Sequence, residues 1–78
     1  MELVSVNSSN IKQIGYEEDF YISLNRKTSV LRVVFTSGMV YDYYQVPKYL
    51  HVGLMKAESK GKFFHENIKN QFHYERVS

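Results

Sequence analysis

The stretch SKGKFF, residues 59 to 64, combines residue types that can bind an anion. Ser59 is a favoured helix cap, and Lys60, Gly61 and Lys62 follow it where a helix is expected to begin. Backbone N–H groups at a helix start carry partial positive charge, so two lysines there are mildly unfavourable unless something negative binds. A hydroxyl, free N–H groups and two ammonium groups at one place therefore predict a phosphate or carboxylate site.

The same residues also have a purely structural interpretation, which is the simpler one. Lysine costs little on a solvated surface, Gly61 can serve only to let two helices pack closely, and Ser59 can serve only as a cap. No Walker motif is present, so nucleotide hydrolysis is not expected. Both interpretations of the stretch stay open at the level of sequence.

Three further residues, Tyr44, Arg32 and Lys69, are candidates for nucleic-acid or anion contact. Tyr44 is expected beside Arg32 on a solvent-facing side of the sheet, and an exposed tyrosine near a cation can stack on a base. Tyr41 and Tyr43 are expected on the opposite side, in the core. Lys69 adds a cation to the C-terminal half of the chain.

Residues that could support catalysis or bind a metal do not form a recognisable pattern. His51, His65 and His73 lack the spacing of metal ligands, and His65-Glu66 is not followed by a histidine four residues later. The acidic run 17–19 is expected to be a solvated turn, and no serine stands in a nucleophile motif. We therefore expect no cofactor, no metal and no enzymatic activity.

The composition predicts one small domain that is held together by packing. The 78 residues are 44% hydrophobic and 15% aromatic and include no cysteine, which excludes disulfides and thiolate metal sites. We find no secretion signal and no apolar stretch of about 18 residues, so we expect a cytoplasmic protein without a membrane partner. Residues 1–47 hold four Lys/Arg against five Asp/Glu, whereas residues 48–78 hold six against three. The basic second part is suited to a polyanion.

Hydrophobic periodicity predicts strand structure at residues 11–16 and 20–24, as one long bent strand or two short ones, and strands at residues 30–35 and 39–46. The tail, residues 73–77, either adds a short strand or simply packs. The polar residues 25–29 are expected to form a turn. If Phe35 faces Met39 across the next hairpin, Arg32 faces Asp42 as an ion pair, and the apolar residues of both strands collect on one side.

Two helices are predicted after these strands. Pro47 suits the first helical position, and Leu50, Leu54 and Ala57 form an apolar stripe on the helix that follows. A second helix is expected over residues 60–71. The expected fold is α+β, with a small antiparallel β-meander of three to four strands followed by a two-helix hairpin packed on one sheet face.

Short motifs spread along the chain form an ordered set. They are Ser8-Ser9-Asn10-Ile11, Ile14-Gly15-Tyr16, Gly38, Tyr41-Asp42-Tyr43, Val46-Pro47, Leu54, Ala57, Ser59-Lys60-Gly61-Lys62-Phe63-Phe64 and Ile68. In order and spacing this set resembles the KTSC domain, a short bacterial and phage module found alone or at the C-terminus of some lysyl-tRNA synthetases. The resemblance covers residues 5 to 76, except that Glu17 to Val30 is longer than in the family, which predicts an extended first hairpin. It implies RNA binding by association with the synthetases.

These observations give two functional hypotheses for a single domain spanning residues 1–78. The leading one is a noncatalytic binding module that contacts RNA, or less favourably DNA, through its basic C-terminal half. The alternative is a protein-interaction module of phage origin that docks on a host or phage protein, using the extended hairpin as an exposed strand edge. Neither hypothesis specifies an oligomeric state.

Overall fold

An antiparallel sheet carries two helices on one face in the computed structural model, which describes residues 1–21 and 25–78. The elements within these residues are β1 (Leu3–Ser5), β2 (Ile11–Tyr21), β3 (Arg26–Phe35), β4 (Val40–Tyr44), α1 (Lys48–Lys56), α2 (Lys60–Asn67) and β5 (Tyr74–Arg76). The five strands lie side by side in chain order, from β1 to β5. The predicted α+β class is confirmed, and the short edge strands β1 and β5 raise the strand count above the predicted three to four.

The hairpin of β3 and β4 has the predicted register. The paired residues are Val30 with Tyr44, Leu31 with Tyr43, Arg32 with Asp42, Val33 with Tyr41 and Val34 with Val40. At the turn, the Phe35 N–H donates to the Met39 carbonyl at 2.9 Å. Alternation along the strands places Tyr43 on the helix-covered face, where it is 5% exposed, and Tyr44 on the other.

The hairpin of β2 and β3 is extended, as predicted, and β2 is one long strand, which is one of the two predicted alternatives. The residues expected to form its turn differ from the prediction. Residues 26–29, expected to form a turn, belong to β3, and the acidic run 17–19, also expected as a turn, lies in β2 and pairs with β3. Across this ladder, Lys27 Nζ lies 2.9 Å from Glu18 Oε2, and such opposite charges stabilise a pairing of polar residues. Of the predicted strand 20–24, residues Ile22 to Leu24 lie outside the described residues.

Both helices form where they are expected, but their ends differ from the prediction. Pro47 is the N-cap of α1 rather than its first helical residue. The second helix ends before residue 71 because the N–H groups of Ile68 and Lys69 both donate to the Phe64 carbonyl at 2.9 Å. Asn70 then adopts a left-handed conformation with a φ of 65°, which stops an α-helix.

The core lies between the helices and the sheet. Its buried side chains come from both layers and are Ile11, Ile14, Leu31, Val33, Tyr43, Val46, Leu54, Phe64 and Ile68. In the predicted stripe of α1, Leu54 is fully buried while Leu50 packs at the edge of the core. This packing fixes α2 and the loops around it against the sheet.

Candidate nucleic-acid interface

Ser59 caps α2, as the sequence predicts. Its side-chain oxygen accepts a hydrogen bond from the Lys62 N–H at 3.4 Å, and its carbonyl accepts one from the Phe63 N–H at 3.1 Å. The first turn of α2, which lies wholly within the described part of the chain, contains no acidic residue. No side chain of that turn therefore neutralises the positive end of the helix.

Lys60 has a structural partner at the end of the preceding helix. Its Nζ donates to the carbonyl of Ala57 at 2.9 Å, and Ala57 is the C-cap of α1. Unpaired carbonyls give that helix end a partial negative charge, which a cation stabilises. The Lys60 ammonium keeps two further N–H groups for an external acceptor, because an ammonium group has three.

Gly61 packs against the loop before β2. A Cβ atom at Gly61 would lie 3.0 Å from Nδ2 of Asn10. The loop is held by Ser8, whose hydroxyl oxygen accepts from the N–H groups of Asn10 at 3.3 Å and Ile11 at 3.2 Å. Residues 7–10 and 58–62 together line a pocket of about 290 Å³. Sequence reasoning missed this contact, although both stretches belong to the ordered motif set.

A row of basic side chains continues along α2 from this pocket. The row consists of Lys62 and His65, three residues apart on α2, and of Lys69, which lies two residues beyond the end of α2; all three side chains are exposed. Together with Asn10 they line a pocket of about 480 Å³. Lys62 also borders a separate pocket that contains Glu66. The sequence singled out Lys62 and Lys69 as site residues, and the structure adds His65 and Asn10 beside them.

Aromatic rings form a cleft of about 440 Å³ next to the basic row. The rings that line this aromatic cleft are Phe35, Tyr41, Tyr43, Phe64 and Tyr74. The ring centroid of Tyr74, on β5, lies 5.8 Å from that of Tyr41 and 5.6 Å from that of Tyr43. Tyr74 remains 47% exposed. The polar groups of the lining include Asn10, Lys69 and Asn70.

The electrostatics of the aromatic cleft favour a neutral or anionic occupant. Lys69 is the one charged side chain in its lining, as far as the described residues show. Burial, followed by the neighbouring phenols of Tyr41 and Tyr74, raises the pKa of Tyr43 to about 12. The Tyr43 hydroxyl therefore keeps its proton at neutral pH.

Arg32 and Tyr44 lie on the opposite face of the sheet from α2. The guanidinium of Arg32 donates two hydrogen bonds to Asp42, from Nε to Oδ1 at 2.7 Å and from Nη2 to Oδ2 at 2.8 Å. These contacts raise the pKa of Arg32. Tyr44 stacks on His73 with a centroid distance of 5.7 Å. The seven predicted site residues thus fall into two groups: Ser59, Lys60, Gly61, Lys62 and Lys69 around α2, and Arg32 and Tyr44 on the outer face.

Within residues 1–21 and 25–78, no three histidine or carboxylate side chains come close enough together to hold a metal ion. Neither α1 nor α2 is long and apolar enough to cross a bilayer, and these are the helices of the described residues.

The chain is similar in sequence and in structure to known proteins that share one kind of small domain. The family model of the KTSC domain matches residues 7–72. Lysine–tRNA ligases of Nostoc sp. and Nostoc punctiforme are 45% and 38% identical to the chain over 76 residues, which is 97% of this chain but 12% of each ligase. The crystal structure of a KTSC domain protein from Yersinia pestis matches with a TM-score of 0.83 and 32% identity, covering 99% of this chain and 97% of that one.

Proposed function

The chain belongs to the KTSC domain family, and from that premise we propose that it is a noncatalytic module that binds single-stranded RNA along α2. The family is one of small domains with no known catalytic role. The observation that carries the proposal is the continuity of three surfaces. Asn10 lines the pocket at the start of α2, the pocket of the basic row and the aromatic cleft.

The charges along this surface suit a phosphate backbone. Lys62 and Lys69 are separated by about 10 Å of helix and its C-terminal turn, since an α-helix rises about 1.5 Å per residue. Both are exposed. Lysines placed in this way position a nucleic acid through its phosphates and do not read its sequence. We therefore expect binding that depends strongly on salt and weakly on sequence.

The aromatic cleft and the relatives favour single-stranded RNA as the ligand. Aromatic side chains stack on bases that are not paired in a duplex. Proteins usually recognise single-stranded loops and ends of RNA in this way. Two relatives are named lysine–tRNA ligases, and this chain corresponds to 12% of their length. We propose that this part of such a ligase contacts RNA, and that the present chain does the same.

Salt-dependent binding of a short labelled single-stranded RNA tests the proposal. The double variant Lys62→Glu/Lys69→Glu should bind more weakly, and each lost phosphate contact should reduce the slope of log K against log salt by about 0.7. The charge-matched control is Lys48→Glu/Lys56→Glu, which changes two exposed lysines of α1 and should bind like the parent. If both double variants keep the parental affinity and slope, the proposal is wrong. A DNA strand of the same sequence measures the contribution of the 2′-hydroxyl groups.

A specific feature of β2 supports protein docking as a second candidate function. Residues 13–15 of β2 pair with both β1 and β3, whereas residues 16–21 pair with β3 only, within the described chain. An unpaired strand edge can accept a strand from another protein. The charged side chains of Glu17 and Asp19 make this edge less receptive. A pull-down in which a protein partner is retained after nuclease treatment would favour docking over RNA binding.

A further inference from the structure

We infer that the aromatic cleft receives one unstacked base of the bound RNA, stacked on Tyr74, with the adjoining phosphate at Lys69. This inference rests on the proposed function, because the base is delivered by a strand that follows the basic row of α2. It assigns a role to Tyr74, which sequence reasoning did not single out.

The rings that form the cleft differ in how far the protein covers them. Tyr43 is 5% exposed and packs edge-on against Phe64, with centroids 5.3 Å apart and planes at 76°. Phe35 packs edge-on against Phe64 as well, at 5.5 Å. These rings belong to the core and give the cleft a fixed floor. Tyr74 is 47% exposed, so it offers an aromatic surface that the protein itself does not cover.

Two side-chain amides lie beside the rings of the cleft. Asn10 and Asn70 both line the cleft, and both side chains are exposed, so their amides are accessible to a ligand there. An amide offers two donors and one acceptor, which is what the edge of a base requires for recognition. These amides therefore offer a base edge hydrogen bonds that a purely apolar ligand would not use.

The aromatic cleft and the basic row share a cation. Lys69 lines both the aromatic cleft and the pocket of the basic row. A strand whose phosphates follow Lys62 and Lys69 therefore arrives at the cleft, and a base turned toward the protein at that point would meet Tyr74. The volume of about 440 Å³ lies within the range of about 300–1,000 Å³ that is typical of small-ligand sites.

Two variants of Tyr74 and an abasic RNA test this inference. Tyr74→Leu keeps an apolar cover over Tyr41 and Tyr43 but removes the ring, and Tyr74→Phe keeps the ring. We expect Tyr74→Leu to bind RNA roughly 5- to 150-fold more weakly, which corresponds to about 1–3 kcal/mol per stacked base. Tyr74→Phe should bind like the parent. The control is Tyr49→Leu, which changes a tyrosine of α1 that is 72% exposed, and it should leave binding unchanged.

An RNA of the same length without bases separates stacking from phosphate contacts. The parent should bind this abasic strand more weakly than the complete RNA, and Tyr74→Leu should bind it as the parent does. The slope of log K against log salt should be the same for the parent and Tyr74→Leu, since no phosphate contact is lost. Thermal melts confirm that each variant is folded at the temperature of the assay.

The possible results distinguish failure of the inference from failure of the proposed function. If Tyr74→Leu binds RNA like the parent while Lys62→Glu/Lys69→Glu binds weakly, RNA binding stands and the base site is wrong. Equal affinity of the parent for the abasic and the complete RNA also overturns the base site. If the parent binds neither strand, the proposed function itself is wrong.

Discussion

The imidazole of His51 lies flat on the phenol ring of Tyr16, with ring centroids 4.5 Å apart and planes 7° from parallel. The pair joins α1 to β2, and the Tyr16 hydroxyl donates to the Val46 carbonyl at 2.7 Å. Nδ1 of His51 is buried and has no hydrogen-bond partner among the described residues. Burial lowers the pKa of His51 below its ordinary value of 6.5, Lys48 lowers it further, and Glu18 opposes this change.

The His51 contact predicts a loss of stability in mild acid. Since the folded-state pKa is lowered, the unfolded chain takes up a proton more readily than the folded one. The contribution of His51 to stability is therefore fully present above pH 6.5 and is lost as the pH falls through the lower folded-state pKa. Urea melts at a series of pH values should show this decrease, and His51→Phe, which retains an aromatic ring, should show a smaller one. Equal pH dependence in the two proteins would contradict the prediction.

The two lysines of SKGK should respond in opposite directions to replacement by glutamate. Lys60→Glu removes the hydrogen bond to Ala57 and places an anion at the negative end of α1. The favourable position of an anion at the start of α2 offsets part of this cost, so we expect a net loss of about 0.5 kcal/mol. Lys62→Glu places an anion at the positive end of α2, so stability should rise by a few tenths of a kcal/mol. Thermal melts of both variants measure the difference. If both variants lose the same amount of stability, the charges at the two helix ends do not determine the effect of these substitutions.

Adjacent tyrosines on β4 should differ in their importance for stability. Tyr43→Ala empties a buried site beside Phe64 and should cost about 3–5 kcal/mol, as large aromatic truncations in cores do. Tyr44→Ala removes a half-buried ring that stacks on His73 and should cost about 1 kcal/mol or less. Denaturant unfolding of the two variants tests this directly. Similar losses would contradict the assignment of the two tyrosines to opposite faces of the sheet.

Arg32 should matter for stability and not for RNA binding. Arg32→Ala leaves the Asp42 carboxylate, which is 8% exposed, without its two hydrogen bonds, and we expect a loss of about 1–3 kcal/mol. Arg32→Lys should recover part of this loss, because lysine keeps the charge but not the planar fork of donors. RNA binding by the folded protein should be unchanged, since Arg32 lies on the face opposite α2. If folded Arg32→Ala binds RNA more weakly than the parent, the outer face of the sheet also contributes to the binding site.

The central hairpin could be predicted because local and cross-strand signals agree there. Only one register places the apolar residues of β3 and β4 on one side while it pairs Arg32 with Asp42. The edge strands β1 and β5 have a weaker signal, because each has three residues and all of them are exposed. The sequence therefore left a strand at residues 73–77 as one of two alternatives and did not predict β1. Residues 26–29 have the composition of a turn, but their pairing with β2 overrides that local preference.

The candidate site could be predicted only in part, because some of its residues come together only through tertiary contacts. Lys62 could be predicted because Ser59 is a recognisable cap for α2, whereas Lys69, which lies beyond the end of α2, was predicted only as a cation of the basic C-terminal half. Asn10 and Tyr74 are distant from α2 in the sequence and reach it only through the packing of the loop before β2 and through the pairing of β5 with β4. The periodicity of residues within one segment carries no information about contacts between distant segments.

The placement of both helices between β4 and β5 has a consequence for the order of folding. The strands from β1 to β4 each pair with a neighbour in sequence, and contacts of that kind form quickly because little chain entropy is lost in closing them. The pairing of Tyr43 with Tyr74 instead closes a loop that contains α1 and α2. We therefore expect β5 to join the sheet last during refolding. The ring of Tyr74 would then report the final step of assembly, and the aromatic cleft would be the last part of the domain to take shape.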